Sequence, residues 1–265
     1  MALKGVFIDK KKNGRPNYRA GITVSGKHIS LGSYPSEKKA HEAYLYAGLL
    51  LKDASLTVQD YKNTCPLIFE KYVTVINLRD NGIYFSTPIY LYKRDFGYFL
   101  SPLRELKFDM DDLFYFSQHK IMERGNHLFI SEYGMQTYLR ERFGIMSFAA
   151  EGRDFKFINK DSLDYRRENL EIINRYHGVR LIKTLRKTLY KAVIHLRSDY
   201  VVGNYPTEKE AAIAYNKAAD VLIKNGFSKN FMLNYLEDVS PREYAMIYID
   251  VKISERIEKL TPETI

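Results

Sequence analysis

Two periods of apolar and polar positions organise this chain. Tyr18, Ala20, Ile22 and Val24 alternate with Arg19, Gly21, Thr23 and Ser25, and Ile29 and Leu31 then alternate with His28 and Ser30. A period of two is that of a strand with one buried face, and Ser25-Gly26-Lys27 between the runs predicts a hairpin turn. Past Tyr34 the period lengthens: Ala40, Ala43, Tyr44, Ala47 and Leu51 share one face of a helix. Ser36 is a suitable N-cap, and Glu37 suits the positive end of the helix dipole.

The same succession returns later. Tyr190, Ala192, Ile194 and Leu196 alternate with Lys191, Val193, His195 and Arg197, a tighter turn is predicted at Ser198-Asp199, and Thr207 N-caps a second helix. Tyr34-Pro35-Ser36-Glu37-Lys38-Lys39-Ala40 recurs as Tyr205-Pro206-Thr207-Glu208-Lys209-Glu210-Ala211, an offset of 171 residues, and 9 of the 18 positions from 34 to 51 are identical in the second copy. Self-similarity of this length marks a repeated structural unit. Gly5-Val6 and Gly178-Val179 are expected to open the first strand of each. Each unit is therefore read as a three-stranded antiparallel sheet whose apolar face lies under one helix and whose polar face meets solvent.

Between the copies, residues 55 to 176 are rich in aromatics. Tyr98-Phe99-Leu100, Leu113-Phe114-Tyr115-Phe116 and His127-Leu128-Phe129-Ile130 suggest buried strands of an α+β unit, although period alone does not exclude helix for such short runs. After the second copy, Ser240-Pro241-Arg242-Glu243 predicts a helix start, with Ser240 as N-cap and Glu243 completing a capping box. That helix is expected to run to about Leu260, with Tyr244, Ile247, Tyr248 and Val251 on a face that closes the core of the second unit. The alternative for that face is the seam of a homodimer.

Composition narrows the function classes. The 265 residues are 45% hydrophobic and 28% charged, an ordinary globular balance. No run of roughly 18 apolar residues and no N-terminal apolar run ending in a cleavage site is present, so neither a membrane span nor a secreted precursor is expected. The single cysteine, Cys65, excludes an intrachain disulfide and a multi-thiolate zinc site and favours a reducing compartment. Neither His119 nor His127 has acidic residues at a matching metal-ligand spacing, and the scattered glycines form no phosphate-cradling loop, so no metal and no cofactor is expected. Charge points to a polyanion: the net charge is +9, divided as +7 over residues 1–52, −1 over 53–177, +5 over 178–224 and −2 over 225–265. The excess thus sits in the two repeated units.

Gly-Val, then Tyr18-Arg19-Ala20-Gly21-Ile22, then Ile29-Ser30-Leu31-Gly32-Ser33-Tyr34-Pro35 and the Ala-x-x-Ala-Tyr helix resemble the APETALA-type, or ethylene-response-factor, DNA-binding domain. The resemblance spans roughly residues 4–52 and again 177–225. It implies a sheet that reads double-stranded DNA through the major groove. By strand position it implies Arg19, Thr23, His28 and Ser30 as outward residues of the first copy, with Lys10, Lys11, Lys12, Arg15 and Lys27 on phosphates. In the second copy it implies Arg180, Lys191, His195 and Arg197 outward, with Lys183, Arg186 and Lys187 on phosphates. Where many members of that family carry an aromatic and several arginines on the sheet, this chain has Phe7 and Gly21 in one copy and Val193 and Val201 in the other. Two exposed valines would suit thymine methyls or a protein partner.

Phe157-Ile158-Asn159-Lys160-Asp161 through Asn169-Leu170-Glu171-Ile172 resembles the tail of an HNH endonuclease of the homing type, a unit often joined to an APETALA-type domain. Such a nuclease needs a metal-binding acid and a histidine that activates water. Lys156 and Phe157 stand at those two positions, and Leu139-Arg140 stands where the family has an earlier His-Arg. Asn159, Asp161, Asp164 and Asn169 remain, and are read as turn and cap residues.

Together these readings predict an α+β protein of three segments: a DNA-binding module at 1–54, a degenerate HNH-like domain at 55–176, and a second DNA-binding module with a C-terminal helix at 177–265. The expected function is a non-catalytic, sequence-specific double-stranded DNA-binding protein, a transcriptional regulator of bacterial or phage origin, cytoplasmic and nucleoid-associated. The alternative is an active homing endonuclease. The arm-binding segment of a recombinase is a third reading, disfavoured because two such modules leave no room for a separate catalytic domain.

Overall fold

The computed structural model describes residues 2–10, 14–132 and 134–264. It is α+β, built from five small antiparallel sheets and six α-helices among those residues. The chain forms two compact units, Met1–Leu139 with Asp161–Asn169, and Arg140–Lys160 with Leu170–Ile265. This division differs from the three expected segments: residues 55–139 belong with the first repeat, and 140–160 with 170–176 belong with the second.

In the first unit, β1 (Val6–Lys10), β2 (Pro16–Val24) and β3 (Lys27–Tyr34) form an antiparallel sheet, and α1 (Glu37–Leu50) follows. Ser25 and Gly26 close the hairpin with φ of 50° and 78°, the left-handed pair that a two-residue turn between twisted strands requires. Val6, Ala20, Ile29 and Leu31 bury one sheet face against Ala40, Ala43, Ala47 and Leu50 of the helix. Ser36 caps α1 by accepting from Lys39 N–H. Then come α2 (Phe69–Asn81), a sheet of β4 (Ile89–Leu91), β5 (Asp95–Ser101) and β6 (Arg104–Asp109), helix α3 (Leu113–Gln118), and a sheet of β7 (Ile121–Arg124), β8 (His127–Glu132) and β9 (Met135–Tyr138). The runs at Tyr98 and His127 are strands as expected, but Leu113–Phe116 is helical. Asp111 and Asp112 precede it, which suits a helix start, and only Phe116 is buried, stacked 4.2 Å from Phe108.

The second unit contains β10 (Phe155–Phe157) paired with β11 (Leu170–Ile172). It also contains the sheet of β12 (Val179–Lys183), β13 (Thr188–His195) and β14 (Asp199–Tyr205), and the helices α4 (Glu208–Lys224), α5 (Pro241–Asp250) and α6 (Glu255–Glu258). The repeat read from sequence holds to the level of irregularities. Each sheet has a register shift at the same place, Ala20/Gly21 and Ala192/Val193. Each first strand follows a left-handed glycine, Gly5 at φ 77° and Gly178 at 71°, whose carbonyl accepts from the residue at the shift, Gly21 or Val193. A Cβ on Gly5 would fall 2.1 Å from the Tyr44 ring, and one on Gly178 would fall 2.6 Å from the Tyr215 ring; Tyr44 and Tyr215 are the same position of the repeat. Only glycine fits either place.

Two details differ from expectation. The second hairpin turns through Leu196–Ser198, closed by Leu196 N–H on Ser198 O, and is longer than the first rather than tighter. The C-terminal helix stops at Asp250 instead of Leu260. Val251 is extended at the C-cap, and Ser254 N–H bonds to Val202 O before capping the short α6. The face of Tyr244, Ile247 and Tyr248 packs on the α4 core, with Tyr248 Oη donating to Asp220 at 2.8 Å and Asn216 donating to Tyr244 Oη at 3.0 Å. Among the described residues no helix is long and apolar enough to cross a membrane.

Candidate nucleic-acid interface

The outer face of the first sheet is open. Arg19, Thr23, His28 and Ser30 are all exposed. Arg19 sits in register with Phe7 on β1 and Ser33 on β3, and Thr23 sits opposite His28. Phe7, 54% exposed, meets the His28 ring edge-on at 5.2 Å. Gly21 makes room for that imidazole: a Cβ there would lie 2.5 Å from His28 Cε1. Phe7, His28 and Arg19 thus form an aromatic and cationic ridge across the sheet. Arg19 contacts Asp9 at 3.5 Å with both side chains about half exposed, an ion pair weak enough to be exchanged for a stronger acceptor.

Basic residues stand at both ends of this face. Lys10 and Arg15 are exposed beside the β1–β2 connection, and Lys27 begins β3 at the opposite end, its Nζ 5.7 Å from the Tyr84 ring centroid. Lys11 and Lys12 lie outside the described residues.

The second sheet has the same strands but a different surface. Arg180 and Lys191 face each other across β12 and β13, and His195 faces Asp199. Asp199 receives Arg180 Nη2 and His195 Nδ1, each at 2.9 Å; these bonds, His195 first, hold its carboxyl below the usual range. Arg180 and His195 of the candidate face therefore share one carboxylate. Val193, expected to be exposed, is only 5% so, whereas its neighbour across the sheet, Val201, is 44% exposed. Val193 sits at the register shift of this sheet, and residues of the segment 148–154 come near the β12 side. A cavity of about 210 Å³ separates Phe148, Arg153 and Asp154 from Arg180, Val193 and Asp199.

Asp154 ties this cover down. It is 4% exposed and accepts from Ala150 N at 2.9 Å, Arg153 Nε at 2.9 Å and Nη2 at 2.6 Å, and Asn174 Nδ2 at 3.0 Å. Burial pushes its carboxyl up, but these donors outweigh burial and hold it below the ordinary value of 3.8. Asn174 in turn accepts Leu181 N–H at 2.8 Å, capping the free edge of β12. Lys183, Arg186 and Lys187 remain exposed on the β12–β13 loop, and Arg197 is exposed on the loop after β13. No sequence period announces the Asp154 cover, because its partners come from segments without regular structure.

The residues of the nuclease-like stretch are used structurally. In the second unit Phe157 is 4% exposed, and Lys156 pairs with Glu171 at 2.9 Å across the β10–β11 ladder. In the first unit Asp164 is fully buried and bound by Arg166 Nε at 2.8 Å and Nη2 at 2.6 Å, while Asn169 Nδ2 donates to the carbonyls of Asp161 and Asp164. Arg166 reaches Asp95 at 3.0 Å as well, and these partners, Asp164 first, raise its pKa. His119 stacks on Tyr115 at 4.1 Å with Nδ1 near the Tyr115 carbonyl, and His127 meets the Tyr138 ring edge at 5.5 Å. Among the described residues no cluster of three His, Cys, Asp or Glu is placed to hold a metal. In comparisons with known proteins, no family model, no curated protein and no solved structure matches this chain.

Proposed function

We propose that this protein binds double-stranded DNA sequence-specifically without cutting it, reads the major groove with its first sheet, and acts as a transcriptional regulator descended from a homing-type nuclease. The observation that carries the reading is the open outer face of that sheet: Arg19, Thr23, His28 and Ser30 exposed between basic residues at both ends. A two- or three-stranded antiparallel face of this kind fits the major groove, and arginine is the side chain best suited to a guanine edge. The non-catalytic part is supported by Lys156 and Phe157, engaged in a ladder ion pair and a core, and by Asp164, locked by Arg166.

The second module is the weaker base reader. The segment 148–154 and the Asp199 network engage the β12 side of its face, and its loops carry further exposed basic residues. A tethered second module still raises affinity through effective concentration. The test is selection of bound duplexes from a random library with Mg²⁺ present, the recovered DNA being checked for cuts. An enriched motif in intact DNA is expected. Cleaved products would restore the nuclease reading, and no enrichment would refute sequence-specific binding. Arg19→Ala should relax the motif at one position, at a cost of about 1–3 kcal/mol on the preferred site. Replacing Lys10 and Lys27 by Ala should weaken binding to all sequences alike and flatten the salt dependence by about 0.9 for each phosphate no longer neutralised.

A further inference from the structure

The β12–β13 loop presents an apolar side chain flanked in sequence by exposed cations. Leu185 is 108% exposed, as open as a leucine can be, and belongs to neither hydrophobic core. Lys183, Arg186 and Lys187 surround it in sequence; all are exposed, and none forms an ion pair among the described residues. The loop is a closed turn. Thr184 N–H donates to Lys187 O at 2.9 Å, Thr184 Oγ1 donates to the same carbonyl at 2.9 Å, and Lys187 N–H returns to Thr184 Oγ1 at 3.0 Å. Leu185 and Arg186 are therefore held at the apex of a preorganised hairpin directly continuing the Lys183–Thr188 pair. The other fully exposed hairpin leucine, Leu103 at 94%, lacks this setting, because its neighbour Arg104 is held by Glu123 at 2.6 Å.

An apolar point within a cationic collar matches a target that is anionic outside and apolar within. Stacked bases behind their phosphates are such a target, and a narrow hairpin tip suits the minor groove. A bilayer also has an anionic rim and apolar interior, but a single leucine buries too little to anchor a protein there, whereas one apolar side chain is enough to part a base step. We propose that Leu185 is a DNA-bending wedge: it enters the minor groove between two base pairs while Lys183, Arg186 and Lys187 grip the flanking phosphates. This rests on the DNA-binding reading above, and gives the second module a role that its covered sheet face does not. Unstacking is cheapest at pyrimidine–purine steps, so a TA or CA step should lie under the tip.

The full-length protein is mixed with a selected duplex carrying end-to-end donor and acceptor dyes, and with one carrying 2-aminopurine at the TA or CA step. Wild type should raise both energy transfer and 2-aminopurine emission. Leu185→Ala should abolish both, with about tenfold weaker binding and an unchanged salt slope, while Leu185→Phe should keep them. The side chain touches no core, so both variants should fold, which a melting curve checks. Specific binding with an unbent duplex, or bending unaffected by Leu185→Ala, overturns the wedge and leaves the DNA reading standing. Absence of binding to any duplex overturns both. Phosphatidylserine vesicles are the further arm: binding to them that depends on Leu185, with no bending of DNA, would assign the tip to a lipid surface instead.

Discussion

Asp154→Ala should release the cover from the second sheet, and the size of the effect follows from who loses a partner. Arg153 is half exposed, so its guanidinium returns to water at a cost below about 1 kcal/mol. Ala150 is exposed and its N–H can be hydrated. Asn174 is 5% exposed; its Nδ2 would keep only the bond to Arg153 O while its Oδ1 still accepts from Leu181 N–H, so the main penalty falls on the Nδ2 hydrogen left without Asp154, about 1–3 kcal/mol for a buried donor left unsatisfied. Adding the loss at Arg153 gives about 1–4 kcal/mol. Arg153→Ala removes the same ion pair but leaves Asp154 with Ala150 and Asn174, and should cost less than half as much. The readout is hydrogen exchange at the Leu181 amide, whose acceptor is Asn174 Oδ1. If opening is local, exchange should quicken by about 5- to 800-fold in Asp154→Ala. Acid should do the same to wild type. A carboxyl whose folded pKa is depressed contributes stability above its unfolded value of 3.8, and that contribution is lost as pH falls through the lower folded value. Leu181 protection in wild type should therefore fall below about pH 4, and the variant should show no such step. Equal effects of the Asp154 and Arg153 substitutions, or Leu181 exchange unchanged in Asp154→Ala, would refute the account of how the cover is held.

The second unit and its repeat carry two further expected outcomes. Gly178→Ala combines a left-handed backbone with a Cβ 2.5 Å from Val193 O, and Gly5→Ala does the same against Tyr44; each should destabilise its own unit by about 3 kcal/mol or more in urea titration, and a loss under 1 kcal/mol would show the strands can shift to accommodate it. His177 lies between the rings of Phe148 and Tyr215 with Nδ1 buried and unpartnered, and burial first, then Lys229 and Arg153, lower its pKa against the opposing pull of Asp154. Because folding favours its neutral form, the stability of the second unit should decline as pH falls below the unfolded value of 6.5; His177→Phe should flatten that decline, and an unaltered profile in the variant would assign the pH dependence elsewhere.

The repeated modules are legible in the sequence because their determinants are local. Alternation over Tyr18–Val24 and Tyr190–Ile194, the capping residues Ser36 and Thr207, and the Ala-x-x-Ala-Tyr face each act within a few residues, and the structure places the strands, caps and helices they predict, with Val193 the exception as a buried outward position. Leu113–Phe116 is helical instead of extended; an apolar run of four fits a helix turn as well as a strand, and this one continues the turn begun at Met110–Asp112. The C-terminal helix is shorter than its pattern suggests because Val251 and Ile253 continue its apolar spacing, while Ser254 N–H is taken by the Val202 carbonyl in β14. The candidate interface divides along the same line. Outward positions such as Arg19 and Lys191, or Gly21 and Val193, are equivalent by period, so nothing local distinguishes an open face from one beside its own chain. What separates them is Asp154, reaching Asn174 twenty residues on and, through it, the edge of β12. Such an interaction has no period, and a single carboxylate among 32 acidic residues carries no mark in the sequence. Two copies of one unit can therefore keep the same local pattern while their surfaces diverge: the first sheet keeps Arg19, Thr23, His28 and Ser30 exposed on an open outer face, whereas the second holds Arg180 and His195 on one carboxylate and carries on its β12–β13 loop an exposed leucine that departs from polar turn chemistry.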